Sequence, residues 1–182
     1  MSIRVIILSV FLIATTARAK ASNDSLPGKS YRVSINLSVP VDEFSETHFL
    51  GAGVSYAWSN NRFGLLSKAP GKLLGFTADA GVDYFFGKKI TESGIDFRFK
   101  NYWNLHAFGG VIFNEGTNIN VRVLTGPTLG IYYGETEFGY GAMLDASYYI
   151  TEKISLGPML RFFKNKAANA QWGLGVGAGW GL

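Results

Sequence analysis

The sequence predicts an all-β fold, an antiparallel up-and-down transmembrane β-barrel of about eight strands, on three observations. Large apolar residues alternate with small or polar ones over repeated segments, which gives each segment two unlike faces. Within the strand bodies one face carries no charge, and every in-strand charge falls on the other. Charged residues make up only 16% of the chain, against roughly 25% in soluble domains, so part of the surface must face something other than water.

The N-terminus is read before the fold, because targeting segments do not belong to it. In "MSIRVIILSVFLIATTARAKA", Arg4 precedes an apolar run over residues 5–14, and Ala17, Arg18 and Ala19 follow. That run is about ten residues long, too short for a helix that needs roughly 20 to span a bilayer. Residues 1–21 are therefore read as a secretory signal peptide and residues 22–182 as one barrel domain.

The strands are expected near residues 31–40, 49–58, 73–86, 102–113, 119–133, 138–150, 154–163 and 171–182. The first places Tyr31, Val33, Ile35, Leu37 and Val39 on one face and Arg32, Ser34, Asn36 and Ser38 on the other. In the second, Leu50, Ala52, Val54, Tyr56 and Trp58 alternate with Gly51, Gly53 and Ser55. The third sets Phe76, Ala78, Ala80, Val82, Tyr84 and Phe86 against Thr77, Asp79, Gly81 and Asp83. Trp103, Leu105, Val111 and Phe113 oppose Asn104 and His106 in the fourth, and Val121, Val123, Leu129 and Ile131 oppose Asn120 and Arg122 in the fifth. The sixth opposes Phe138, Tyr140, Leu144 and Tyr148 to Gly139, Met143, Asp145 and Ser147, and the seventh opposes Leu156, Leu160 and Phe162 to Gly157, Met159 and Arg161. The last, "AQWGLGVGAGWGL", alternates Trp172, Leu174, Val176, Ala178, Trp180 and Leu182 with four glycines.

Short links at residues 114–117 ("NEGT") and 151–153 ("TEK") imply antiparallel hairpins. Pro127 and Pro158 each follow a glycine inside a strand, where proline removes a ladder hydrogen bond, so a bulge is expected at each pair, with a misplaced strand end as the alternative.

The apolar face is assigned to lipid and the polar face to the lumen. An eight-stranded lumen is only just filled by side chains and could not hold so many large apolar groups. Inside hydrocarbon, a sheet satisfies its backbone only by closing. Glycine then serves as a volume device in a narrow lumen crowded by arginine, methionine and phenylalanine. Arg32, Arg122 and Arg161 are expected to be neutralised there by Asp79, Asp83 and Asp145.

Several chemistries are set aside. The absence of cysteine removes disulfides, thiolate metal sites and a lipoprotein anchor. The formal charge of +4 falls to +2 without Arg4 and Arg18, and no basic stripe points to nucleic acid. "GLGVGAG" has no helix after it to complete a dinucleotide site, because the chain ends. His48 and His106, the only histidines, have no ligand-like spacing. His48 is expected in a water-exposed loop and His106 hydrogen-bonded in the lumen. No catalytic, cofactor-binding or metal residue is assigned, and no cofactor is expected.

"GAGVSYAW", "GVDYFFG", "TGPTLGIYYG" and "DASYYITEKISLGPMLRF" resemble the strands and tight turns of small eight-stranded outer-membrane barrels of Gram-negative bacteria, OmpA-like and OmpX-like in architecture. "YYITEKISLG" looks most like barrels of the Bacteroidetes. The resemblance implies the outer membrane as location, contact with its lipid and lipopolysaccharide, a monomer, and recognition by the barrel assembly machinery through the C-terminal strand. Such strands often end in phenylalanine, and this one ends in Leu182 with Trp180 before it. It also implies a structural or loop-mediated binding role without an open pore, with the loops near "VDEFSETH", "GKKITESGIDFRFK" and "KNKAANA" outermost. The alternative is a lipid-modifying enzyme of the lipid A deacylase or acyltransferase type. Such deacylases carry His-x-Ser, whereas His48 and His106 begin "HFL" and "HAF".

Overall fold

A computed structural model describes residues 29–60, 73–92, 94–114, 118–165 and 170–182. The expected signal peptide, the "NEGT" turn and most of "KNKAANA" lie outside the described residues. Eight strands close a barrel: β1 (Lys29–Val41), β2 (His48–Asn60), β3 (Leu73–Gly87), β6 (Tyr102–Asn114), β7 (Ile119–Tyr132), β8 (Glu135–Tyr149), β9 (Ile154–Asn165) and β10 (Gln171–Gly181). A one-turn helix α1 (Phe44–Thr47) follows β1, and a separate hairpin of β4 (Lys89–Glu92) and β5 (Ile95–Arg98) stands between β3 and β6. All neighbouring strands are antiparallel, and β10 closes on β1 with Leu37 opposite Val176.

Closure with an even number of strands puts the start of β1 and the end of β10 at one end, called here the termini end. The far end carries α1, the β4–β5 hairpin and the link from β7 to β8. That link is shorter than the sequence pattern implies, because β8 starts at Glu135 and leaves only Tyr133 and Gly134 as the turn. Both have positive φ, 55° and 83°, as a two-residue type I′ hairpin turn requires. Glu135 and Glu137 break the apolar alternation, yet pair with Tyr132 and Gly130 through the backbone, which is indifferent to side-chain polarity.

The faces are as expected. Ile35 is 62% exposed on the lipid side, while Asn36 beside it is buried in the lumen. The lumen-facing glycines do make room. A Cβ on Gly53 would come within 2.0 Å of Asp83 Oδ1, one on Gly179 within 2.5 Å of Arg32 Cδ, and one on Gly177 within 2.6 Å of Met159 Cε.

The bulges expected at the two Gly-Pro pairs are absent. The registers of β7 and β9 run without a shift through Pro127 and Pro158. Proline removes a donor without adding a residue, so the ladder can keep its count. The carbonyls opposite the prolines, on Ala107 and Ala146, instead lie against the preceding glycines: a Cβ would meet them at 2.2 Å on Gly126 and 1.7 Å on Gly157. Gly157→Ala is therefore expected to destabilise the barrel by about 1–3 kcal/mol, as overpacking does. Gly173→Ala, whose nearest contact would be 3.7 Å away, should be mild; similar urea midpoints for the two in lipid vesicles would refute the close approach.

Candidate functional site

The lumen is organised around one chain of arginine, aspartate and histidine side chains. Arg122 on β7 stands directly opposite Asp145 on β8, with Nε 3.0 Å from Oδ1 and 3.1 Å from Oδ2. Arg32 of β1 reaches Asp145 Oδ2 at 3.2 Å and donates to Ser147 Oγ at 2.8 Å. Arg122 also donates to Asp79 Oδ2 at 3.2 Å. Asp79 in turn faces His106 Nε2 at 3.1 Å, and His106 Nδ1 lies 3.2 Å from Asp83 Oδ2. Arg161 of β9 completes the chain on Asp83 Oδ1. The three arginines and three aspartates thus pair as the sequence implies, and His106 bridges two carboxylates. Ion pairs at this depth form because an unpaired charge out of water is very costly.

Beside Arg32, Ser34, Asn36 and Met159 a space of about 10 Å³ remains, no more than a single water needs. Phe108 and Phe163 stack beside His106, with ring centroids 4.8 and 6.5 Å from it.

The far end is stoppered by aromatic rings. Phe44 of α1 drops into the mouth, its ring 5.0 Å from Phe85, 5.9 Å from Tyr102 and 4.6 Å from His48. Below it Thr128 donates to Asn165 Oδ1 at 2.9 Å, and Asn165 donates to the Tyr102 hydroxyl.

His48 corrects the expectation of a water-exposed loop: it is 4% exposed and belongs to the stopper. Its Nδ1 lies 2.8 Å from Thr47 Oγ1 and its Nε2 3.2 Å from Lys100 O. The physical reason is a register shift between His48 and Leu50, where one extra residue reverses the parity and turns His48 inward. Phe85, Tyr102, Phe108 and Phe163 were also not picked out from the sequence. Each lies two residues from an in-strand polar group already assigned to the lumen, Asp83, Asn104, His106 and Arg161 respectively, and that parity was the available signal.

Above the mouth, the β4–β5 hairpin projects with all four residues of β5 exposed. Lys89 pairs with Asp96 at 2.5 Å, and Thr91 Oγ1 donates to Asp96 Oδ1 at 2.7 Å. These contacts, that of Lys89 first, hold the Asp96 carboxyl below the usual range. Its base is tied down: Lys88 N donates to Thr47 O at 2.8 Å, and Gly87 N to Asn101 Oδ1 at 3.0 Å. Among the described residues, no group of three or more His, Cys, Asp or Glu side chains could hold a metal ion.

No family model and no curated protein matches the chain. Solved structures do. Neisserial surface protein A is 14% identical over 86% of this chain and 99% of its own, with a TM-score of 0.51. The Yersinia pestis outer membrane protein Ail in a phospholipid bilayer nanodisc is 12% identical over 84% of this chain and 99% of its own, with a TM-score of 0.50. At these identities the likeness concerns the fold, and the Bacteroidetes character of "YYITEKISLG" rests on the residues alone. A closed eight-strand barrel, apolar outside and charge-paired within, together with this likeness, gives the chain the fold of the small eight-stranded outer-membrane β-barrels.

Proposed function

We propose that the chain is a rigid, closed scaffold of the cell outer membrane that holds its far-end loops for binding, with no open pore and no enzymatic activity. The observation that carries this reading is the lumen, crossed by two sets of Arg–Asp ion pairs with His106 between them and stoppered by Phe44, His48, Phe85 and Tyr102. Opening a path would strand buried charges, which is strongly unfavourable.

An enzymatic role is less well supported. His106 is enclosed between two aspartates, and His48 is engaged by Thr47 and the Lys100 carbonyl. Neither is set against a serine that it could activate.

In this reading residues 1–21 are removed during export, and the assembly machinery receives the C-terminal strand. The termini end faces the periplasm, from which the chain arrives, and the β4–β5 hairpin faces outward. The closed barrel leaves no strand edge to pair with a second copy, which favours a monomer.

The test is twofold. Purified barrel in a planar bilayer should give no persistent conductance steps, and trypsin added to intact cells should cut the exposed hairpin at Lys89 or Arg98. Stable channels would overturn the closed lumen, and protection of the hairpin in intact cells but not in lysed ones would overturn the orientation.

A further inference from the structure

On the outer wall at the far end, Tyr84, Lys100, Asn101, Trp103, Ile131 and Tyr133 border an open groove of about 520 Å³. Its lower wall, Trp103 and Ile131, continues the lipid-facing surface of β6 and β7. Its upper rim is made of donors. The Lys100 ammonium makes no ion pair among the described residues. Tyr84 packs its ring 4.5 Å from Trp103, and its hydroxyl accepts from Asn101 Nδ2, which leaves its own proton free to donate into the groove. Among the described residues no carboxylate lines the groove.

The backbone at Tyr133 is a second, independent observation. Tyr133 sits at φ 55°, a left-handed conformation that asparagine and glycine adopt far more readily than a bulky aromatic residue. A strained residue at a surface site points to a role for its side chain. Here the ring is 59% exposed and stands over the groove.

We infer that this groove binds the phosphorylated headgroup of lipid A, with the phosphate on Lys100 and the Tyr84 hydroxyl, the sugar against Tyr133, and an acyl chain along Trp103 and Ile131. An apolar wall continuous with the bilayer, beneath a rim of donors that includes the Lys100 ammonium, matches an anionic amphiphile already held at that depth. The choice of lipid A rests on the outward orientation proposed above, since it is the phosphorylated lipid of the outer leaflet.

The barrel, in phosphatidylcholine nanodiscs doped with diphosphoryl lipid A, dephosphorylated lipid A or phosphatidylglycerol, would be analysed by native mass spectrometry for retained lipid. Diphosphoryl lipid A should be retained about tenfold better than the dephosphorylated form. Lys100→Gln and Tyr133→Asn should each remove that preference. Tyr133→Asn should do so without lowering the urea midpoint, because asparagine relieves the turn. Lys89→Gln, at a lysine already paired with Asp96, should retain it. Equal retention of the two lipid A forms, equal retention of phosphatidylglycerol, or equal losses in Lys89→Gln and Lys100→Gln would overturn the proposal. Nanodiscs expose both faces, so this result is independent of orientation, which the trypsin experiment reads separately.

Discussion

Asp145→Ala is expected to lower barrel stability by about 3–5 kcal/mol, the cost of leaving a buried charge without its partner. Asp145 is the most exacting position in the network because it serves two guanidinium groups, Arg32 and Arg122. After its loss Arg122 keeps, among the described residues, Asp79, and Arg32 keeps hydroxyl partners on Ser147 and Ser155. The measurement is urea unfolding of protein refolded in lipid vesicles. Adding Arg32→Met should recover part of the loss, because it removes one of the two stranded charges, and coupling of that kind is confined to groups in contact. Lys89→Ala, at the exposed pair with Asp96, should leave the midpoint unchanged. A wild-type midpoint for Asp145→Ala would mean that the network does not bear on stability.

Val176→Arg is expected to cost roughly 2–4 kcal/mol, because it places a guanidinium at mid-depth in hydrocarbon. Val176 lies near the middle of β10, opposite Leu37 and Pro158. Phe138→Arg provides the contrast. Phe138 is 78% exposed on the same outer face, but lies near the far rim, where the charge reaches headgroups and the expected cost is about 0–1 kcal/mol. Equal losses would put the apolar band at the wrong depth. Gln171 would be the natural inward-facing control, since its place near a strand end, read from the sequence, puts an arginine there within reach of water. It does face the lumen, but it is buried; Gln171→Arg should therefore also be costly, by crowding.

Much of the candidate site was legible because its charges sit inside alternating strands. Arg122 and Asp145 share the parity of their glycine and serine neighbours, and a lumen that admits arginine must also supply aspartate. The groove on the outer wall was not legible in that way. Tyr84, Trp103 and Ile131 read as ordinary lipid-facing residues, and nothing local to the sequence brings Lys100 and Tyr133, more than thirty residues apart, to one rim.

By itself the sequence determined the all-β class, the strand positions, which face meets lipid and which charges lie within, because period-two alternation follows directly from the geometry of a strand. Only the tertiary structure decided where that parity fails and which partners meet. One extra residue at His48 turned a histidine inward, while two prolines that should have bulged kept their register because glycine admitted the opposing carbonyls. The order of pairing from Arg32 to Arg161, and the stopper of Phe44 over Phe85 and Tyr102, depend on closing the sheet: residues from six strands and α1 meet only when β10 reaches β1.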